Sequence, residues 1–355
     1  MGFFYLRRMK KIILSGLLLS LFACGSSGEI KEVDANAASQ SGVSNVSTAS
    51  ASSSTSSSTP SSQPVKQIVK SADVKKHLIY LASDELQGRA TGSEGIEKAA
   101  EYITKQFEKS GIKPYFSTYR DDFDAKGKKG FNIVGMIPGT DPQLKDEFVI
   151  IGAHYDHIGT AKAVEGDTIA NGANDDASGT TAVIELAKYF AKAKNNKRSM
   201  IFTLYAGEEM GLLGSRHLAQ RLKDEGLDLY TMFNIEMMGV PMQNKDFLVY
   251  LTGYNNSNMA DKFNEYSGRK VMGFLPQAQQ YNLFKRSDNY SFYEAFKMPA
   301  QTVSSFDFTN FDYYHKVGDE ADKMDFEFMA KVINNLIPGV EGMVNSAEQE
   351  IEWNE

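Results

Sequence analysis

Three short runs of apolar residues recur through the middle of the chain, at 148–153 (FVIIGA), 200–205 (MIFTLY) and 233–237 (FNIEM). Their nearly continuous apolar character is typical of strands in a sheet that is covered on both faces. Segments with apolar residues at helical spacing, such as 179–193, alternate with these strands. This alternation predicts a three-layer α/β/α sandwich.

The other elements follow from the same two periodicities. Helices are predicted over 74–81, 96–107, 179–193, 215–223, 259–266 and 326–344. Further strands are predicted over 131–137, 247–251 and 300–304. In open α/β sheets, sites form beyond the carboxyl ends of strands, so the polar residues that follow the strands are candidate functional residues.

Composition limits the class of protein. The chain has 355 residues, of which 42% are hydrophobic and 23% charged, and its formal net charge is −7. These values are typical of a globular protein and exclude collagen-like, coiled-coil and wholly disordered chains. The acidic balance argues against nucleic acid as the main partner, since phosphate binding needs a basic surface. The single cysteine, Cys24, excludes an intramolecular disulfide framework and a cysteine-rich zinc module.

Residues 1–23 are predicted to be a signal peptide. Basic residues precede the apolar run 12–22, which is too short to span a bilayer, so a transmembrane anchor is the weaker interpretation. The ending LFAC at 21–24 resembles a bacterial lipoprotein signal, in which the cysteine is lipidated and becomes the mature N-terminus. We therefore expect a lipid anchor at Cys24 and a location in the bacterial cell envelope, at the outer membrane or facing the periplasm. The alternative is an ordinary cleaved signal with a chance cysteine.

A tether is predicted to follow the signal. Residues 24–66 are rich in serine, alanine and threonine. Such a stretch cannot bury enough apolar surface to offset its ordering entropy. We expect a disordered link between the membrane and a single domain over 67–355.

Five segments carry residue types that ligate metals: GAHYDHIG at 152–159, NGANDDASG at 171–179, AGEEMGLLGS at 206–215, NIEMMG at 234–239 and FDYYHKVGDE at 311–320. In the first segment, His154 and Asp156 are two residues apart and share a face of an extended chain. A carboxylate beside a histidine commonly accepts its other ring N–H and fixes the tautomer. His157 lies one residue further on and is expected to point elsewhere.

Three of the segments contain carboxylates, and each of these could have a role other than metal binding. Asp175 and Asp176 precede a helix and could simply cap it. Glu208 and Glu209 could lie in a solvated loop. Glu236 is within an apolar strand, where an unpaired carboxylate is costly, so it needs a partner or a metal.

Taken together, the acids and histidines indicate a metal site more strongly than any one of them does. His315 alone fits a hydrogen-bonded surface histidine in an aromatic loop. Two like charges about 4 Å apart repel by about 4 kcal/mol at an effective dielectric of 20, so several acids that converge at strand ends need a cation. Histidine with carboxylates suits Zn²⁺, and three protein ligands per ion leave room for water. Two ions about 3.5–4 Å apart can share a carboxylate.

These motifs, in this order and spacing, resemble the co-catalytic di-zinc exopeptidases, which include bacterial leucyl aminopeptidase, aminopeptidase Y and the glutamate carboxypeptidase branch. The resemblance covers roughly residues 70–335 and includes HLIYLASDELQGRATGSEG at 77–95. It implies a mixed, mostly parallel central sheet in one zinc peptidase domain. It also implies an aminopeptidase that releases N-terminal residues from peptides.

The resemblance implies a role for each matching residue. Five residues are implied to bind two Zn²⁺ per chain: His154, Asp175, Glu209, Glu236 and His315. Asp175 is implied to bridge the two ions, with a cis peptide before Asp176, and Asp156 to orient His154. Glu208 is implied to be the general base, and Tyr314 to polarise the substrate carbonyl or to stabilise the oxyanion.

Position 236 departs from the family pattern. The family usually has Asp there, within an Asn-x-Asp-Met sequence, whereas this chain has Glu236, which is one methylene longer. Glutamate can still bind zinc if its strand lies slightly farther back. The departure bears on occupancy of the second site and on metal identity more than on the reaction.

Three alternatives remain open from the sequence. A glutaminyl cyclase has the same fold and uses one zinc ion to close N-terminal Gln into a ring. A carboxypeptidase-type exopeptidase is disfavoured by the absence of large insertions. A metal-free binding module is disfavoured because all five ligand positions hold a competent residue. The oligomeric state and the preferred substrate side chain do not follow from the sequence.

Overall fold

The computed structural model describes residues 66–355. The predicted signal peptide, Cys24 and nearly all of the predicted tether lie outside the described residues, so these remain predictions. Within the described part, the strands are β1 (Lys113–Pro114), β2 (Arg120–Ala125), β3 (Lys128–Ile137), β4 (Glu147–His154), β5 (Gly159–Val164), β6 (Asp167–Ala170), β7 (Ser199–Tyr205), β8 (Asp228–Ile235), β9 (Val249–Leu251), β10 (Met272–Gly273) and β11 (Ala300–Ser304).

Eight α-helices lie within the same residues: α1 (Ser71–Leu81), α2 (Glu94–Ser110), α3 (Ser178–Ala193), α4 (Leu213–Asp224), α5 (Met259–Ser267), α6 (Pro276–Gln280), α7 (Asn289–Phe296) and α8 (Phe326–Asn345). Each predicted helix and strand is present, with ends shifted by a few residues. The sequence analysis missed short elements, including β1, β10 and α6, because their two to five residues carry too little periodicity.

Nine of these strands form one mixed sheet in the order β1-β3-β7-β4-β8-β11-β9-β10, with β2 also paired to β3. The four central strands β7, β4, β8 and β11 run parallel to one another. Antiparallel pairs occur between β3 and β7 and between β11 and β9. The predicted mixed sheet is confirmed. Its four central strands are parallel, so their carboxyl ends lie at the same edge of the sheet.

The apolar strands are covered on both faces. In β4, Val149 and Ile151 belong to a large core with side chains of α1, α2, α3, α5 and α8. Ile150, between them, belongs to a second core with Leu218 of α4 and Phe292 of α7. Alternate residues of one strand therefore point into two helical layers, which is why the strand is apolar at every position. The predicted three-layer sandwich is confirmed.

Two helix starts show how local sequence sets the element boundaries. The Ser93 hydroxyl accepts a hydrogen bond from the Ile96 backbone N–H at the start of α2, and the Asp325 carboxylate accepts one from Phe328 at the start of α8. These side chains satisfy backbone donors that have no partner inside the helix. Within residues 66–355, every helix is too short or too polar to cross a bilayer.

Candidate metal centre and active site

The predicted ligands lie together at the carboxyl edge of the central strands. His154 is the last residue of β4, and Glu236 directly follows β8. The Nε2 atom of His154 is 3.2 Å from Asp175 Oδ1 and 3.8 Å from Glu236 Oε1. Asp175 lies in the turn Ala173–Ala177, which leads into α3. These three side chains form one set of donors, which we call the His154 set.

The other oxygen of Asp175 faces a second set of donors. His315 Nε2 is 3.2 Å from Asp175 Oδ2 and 3.1 Å from Glu209 Oε2. Glu209 lies in the loop that follows β7, and His315 lies in the loop between β11 and α8. We call Asp175, Glu209 and His315 the His315 set. Asp175 thus presents one carboxylate oxygen to each set, as expected of a bridging ligand, and its peptide bond to Asp176 is cis.

The donor atoms of these sets suit a divalent cation. Asp175 Oδ2 and Glu209 Oε1 are buried and have no hydrogen-bond partner within the described residues. Buried carboxylates without partners are costly, and imidazole and carboxylate donors at these separations are the usual ligands of zinc. The residues therefore fit the metal that the sequence predicts.

The charge of the cluster changes the proton affinity of its members in the metal-free protein. The close carboxylates of Asp175 and Glu209 raise the pKa of His315 to about 10. Burial raises the pKa of Glu236 to about 7. Burial also raises the pKa of Asp175, but the neighbouring imidazoles outweigh it and hold that pKa well below its usual range.

Glu208 lies beside both sets and lines the same cavity. Burial, supported by the neighbouring carboxylates of Asp288 and Glu236, raises its pKa well above the ordinary value. A carboxylate with a raised pKa is suited to take up a proton and to return it near neutral pH. Its neighbour Glu209 belongs to the His315 set, so the two adjacent glutamates have different surroundings.

Asp156 holds the loop that carries Glu208. Its carboxylate accepts hydrogen bonds from the Gly207 backbone N–H at 2.9 Å, from the Glu208 backbone N–H at 3.3 Å and from the Thr91 hydroxyl at 2.9 Å. Its Oδ1 atom also lies 3.6 Å from Nδ1 of His154. His154 Nδ1 is closer to the backbone carbonyl oxygen of Asp156, at 3.1 Å, and the orienting role of the carboxylate stays a prediction. Most of the hydrogen bonds of this carboxylate go to the loop that carries Glu208.

A cavity of about 100 Å³ opens beside the two donor sets. Phe306, Phe308 and Tyr314 form an aromatic wall, and Arg286 lies at the same opening. The ring of Tyr314 stacks on His315, with ring centroids 4.0 Å apart. Tyr314 therefore packs on the predicted ligand His315 and lines the cavity, and its role at the substrate carbonyl stays a prediction.

Comparison with known proteins decides the family. The model of peptidase family M28 matches residues 132–339, which is more than half of the chain and includes all five predicted ligands. The chain belongs to peptidase family M28.

One curated relative of this M28 chain is a probable leucine aminopeptidase of Arthroderma otae. It is 28% identical over 253 residues, which cover 68% of this chain and 64% of the relative. The matched part is therefore less than two thirds of that relative's length.

Solved structures with the M28 fold also match. A zinc aminopeptidase from Bacillus subtilis matches with a TM-score of 0.61 at 14% identity, over 80% of this chain and 98% of that one. A Porphyromonas gingivalis glutaminyl cyclase matches with a TM-score of 0.60 at 14% identity, over 78% and 99%. At these identities the likeness shows the shared fold.

His157 is a residue whose position was predicted wrongly. Its imidazole does not point away: Nδ1 lies 2.9 Å from Glu209 Oε1 and 3.7 Å from Asp175 Oδ2. The alternation of an extended strand does not apply to it, because β4 ends at His154. The second histidine of the HxDH sequence, three residues after His154, was the sign in the sequence that this residue could reach the same site.

Two buried charged residues also escaped the sequence analysis, Asp319 and Arg89. Asp319 accepts backbone N–H bonds from Asn174 at 2.7 Å and Asp175 at 3.1 Å, so it holds the bridging turn. Arg89 donates to the backbone carbonyls of Tyr155 and Gly172, among others, and ties two ligand loops together. Both lie within segments that the sequence analysis quoted, at 311–320 and 77–95. Their contacts go to backbone atoms, which give no residue pattern by which a sequence could reveal them.

Asp288 is buried next to Ser287, which lines the cavity. Neither of its carboxylate oxygens has a hydrogen-bond partner within the described residues, and burial raises its pKa to about 7. It is among the groups that raise the pKa of Glu208. A protonated Asp288 would relieve that repulsion, so this carboxyl is suited to a supporting role at the general base.

Proposed function

We propose that this protein is a zinc-dependent aminopeptidase that uses two zinc ions to hydrolyse N-terminal residues from peptides. The observation that carries the proposal is Asp175, whose two oxygens face two different sets of histidine and carboxylate donors. The His154 set and the His315 set each contain three of the predicted ligands, so two ions can be held with a position left for water. A glutaminyl cyclase needs one ion, so the two sets favour the peptidase.

The chain's own residues would perform the proton transfers. When bound, the zinc pair would acidify water and stabilise negative charge on the substrate oxygen. Glu208 accepts the proton of the attacking water and delivers it to the leaving amine. Tyr314, at the cavity mouth, is placed to donate a hydrogen bond to the carbonyl oxygen of the substrate.

The aromatic wall bears on the substrate. Phe306, Phe308 and Leu283 offer apolar surface beside the predicted metal ligands. Burying an apolar side chain there is favourable, at about 25 cal/mol per Å² of apolar area. We therefore propose that peptides with an apolar N-terminal residue are the substrates.

The test is a measurement of metal content together with hydrolysis of a panel of aminoacyl-p-nitroanilides by the purified protein, with and without a chelator. We expect about two zinc ions per chain, release that the chelator abolishes, and the fastest turnover for leucyl and phenylalanyl substrates. One zinc ion, no release and ring closure of Gln-initiated peptides would replace the aminopeptidase with a glutaminyl cyclase. Absence of bound metal would leave a binding module.

We also propose that the protein is a lipoprotein of the bacterial cell envelope, anchored through Cys24. The support is the basic start, the short apolar run and the LFAC ending. Labelling of cells with a radioactive fatty acid should mark the wild-type protein and leave Cys24→Ser unlabelled. A label that persists in Cys24→Ser would contradict the anchor.

A further inference from the structure

His157 lies outside the five ligands that the family resemblance implies, yet it faces the same oxygens. Its Nδ1 atom is 2.9 Å from Glu209 Oε1 and 3.7 Å from Asp175 Oδ2. Donor atoms of His157, Asp175 and Glu209 lie within 4.8 Å of one another, a separation at which one ion can contact all three. Its ring meets that of His315 edge-on, with centroids 5.6 Å apart.

The imidazole of His157 is buried and has no hydrogen-bond partner within residues 66–355. Its side chain is 0% exposed, and neither ring nitrogen makes a hydrogen bond within the described residues. An imidazole in that condition is costly, since buried polar groups are nearly always paired. The cost falls if one of the two nitrogens binds an ion.

The short contact with Glu209 has the character of a ligand contact. His154 and His315 also approach carboxylate oxygens at 3.1–3.8 Å without an aligned N–H···O hydrogen bond between the two side chains. Nitrogen and oxygen atoms that are close but not aligned to each other are expected when both are directed at a shared cation. His157 shows this pattern together with the two predicted histidine ligands.

The backbone makes room for this ring. A Cβ atom on Gly172 would lie 2.5 Å from Cγ of His157, and Gly172 has a φ of +58°, which favours glycine. The carbonyl of Gly172 is held by the Arg89 guanidinium, 3.0 Å away. The carbonyl of Arg89 in turn accepts the backbone N–H of His157 at 3.3 Å. The ring is therefore held in place from both sides.

We propose that His157 is a fourth protein ligand of the ion held by Asp175, Glu209 and His315, an inference that rests on the zinc-dependent function proposed above. The His315 set then offers four protein donors and the His154 set three. Four protein donors are typical of closed zinc sites, and three leave a position for water. The ion at the His315 set is therefore the more tightly bound of the two, and exchangeable water lies mainly toward the His154 set.

The test compares zinc affinity in His157→Ser with that in wild type, by competition with graded concentrations of a chelator. In wild type we expect one tight and one weaker binding event. In His157→Ser the tight event should weaken by about 10- to 100-fold or more, as for loss of a partner in a zinc site. His217→Gln is the matched control, because His217 is a partly exposed histidine on α4, paired with Asp121, and it should bind zinc like wild type. A tight event within twofold of wild type in His157→Ser would overturn the proposal.

A second measurement does not depend on a variant that folds. X-ray absorption of the wild-type protein loaded with one equivalent of zinc counts the imidazoles on the tightly bound ion. Two imidazoles per zinc support His157 and His315 as joint ligands, whereas one imidazole overturns the proposal. If wild type binds no zinc at all, the proposed function fails as well; if it binds two ions and His157→Ser is unaffected, only this inference fails.

Discussion

The two adjacent glutamates of the loop after β7 differ in surroundings, and substitution separates their roles. Glu208→Gln keeps the shape of the side chain but cannot take up a proton. We expect its zinc content to equal that of wild type while kcat falls by about 100- to 10,000-fold, the usual contribution of a general acid–base group. Steady-state kinetics with metal analysis of the same sample checks this. Glu225→Gln, an exposed site, is the control, and peptidase activity retained in Glu208→Gln would rule out the assignment.

Glu236 tests how much one methylene matters at a ligand position. Its Oε1 lies 3.8 Å from Nε2 of His154, and its carboxylate also interacts with the Ser287 hydroxyl. Glu236→Asp shortens the side chain by one methylene and moves the carboxylate away from His154. We therefore expect weaker zinc binding at the His154 set and unchanged binding at the His315 set. Chelator competition resolves the two events. An equal loss of zinc affinity at both sets, or no loss at either set, would contradict the assignment of Glu236 to the His154 set.

At the level of elements, the turn Ala173–Ala177 depends on a side chain distant in sequence. Asp319 accepts the backbone N–H groups of Asn174 and Asp175, and its own carbonyl accepts that of Ala173. Asp319→Ala leaves two buried donors without a partner, at a cost of about 1–3 kcal/mol for each. We expect a lower free energy of unfolding and weaker zinc binding at both sets, because Asp175 belongs to both.

Denaturant unfolding with and without zinc measures both effects of Asp319→Ala. Asp322→Ala is the control, since this neighbouring acid pairs with Lys323 at the surface. A surface ion pair contributes little to stability, so the control should remain close to wild type. If Asp319→Ala also remains close to wild type, the turn is held by other contacts.

For the whole molecule, the acidic cluster makes stability of the metal-free protein depend on pH. Burial raises the pKa of Glu236, Asp288 and Asp319 to about 7, and neighbouring carboxylates raise that of His315 to about 10. Between about pH 4 and 7 the folded carboxyls keep protons that the unfolded chain has released, and His315 does the same between about pH 6.5 and 10. In both ranges rising pH favours unfolding.

We therefore expect the chelator-treated protein to be less stable at pH 9 than at pH 5. Zinc should remove most of this loss, because bound metal replaces the protons of the cluster and stabilises only the folded state. Denaturant unfolding at pH 5, 7 and 9, with chelator or with zinc, makes the comparison. Metal-free stability that rises toward pH 9 would show that the cluster is not charged as described.

Sequence reasoning reached most of the fold and the ligand types. The apolar strands at 148–153 and 200–205 were evident because burial on both faces requires an apolar residue at every position. The family motifs named Asp175 and Glu236 as ligands, and the structure brings both to His154. Sequence reasoning failed at His157, where strand alternation was extended one step beyond the end of β4.

The sequence by itself determined which residues are competent to bind metal, in what order they occur, and that they follow strands. These properties are local, since side-chain chemistry and periodicity are written in consecutive residues. Only the tertiary structure decided that His154 and His315 share one carboxylate, that His157 joins them, and that Asp319 and Arg89 hold the ligand loops. The histidine contacts join side chains from segments far apart in the chain. The contacts of Asp319 and Arg89 end on backbone atoms, which every residue has and which leave no mark in a sequence.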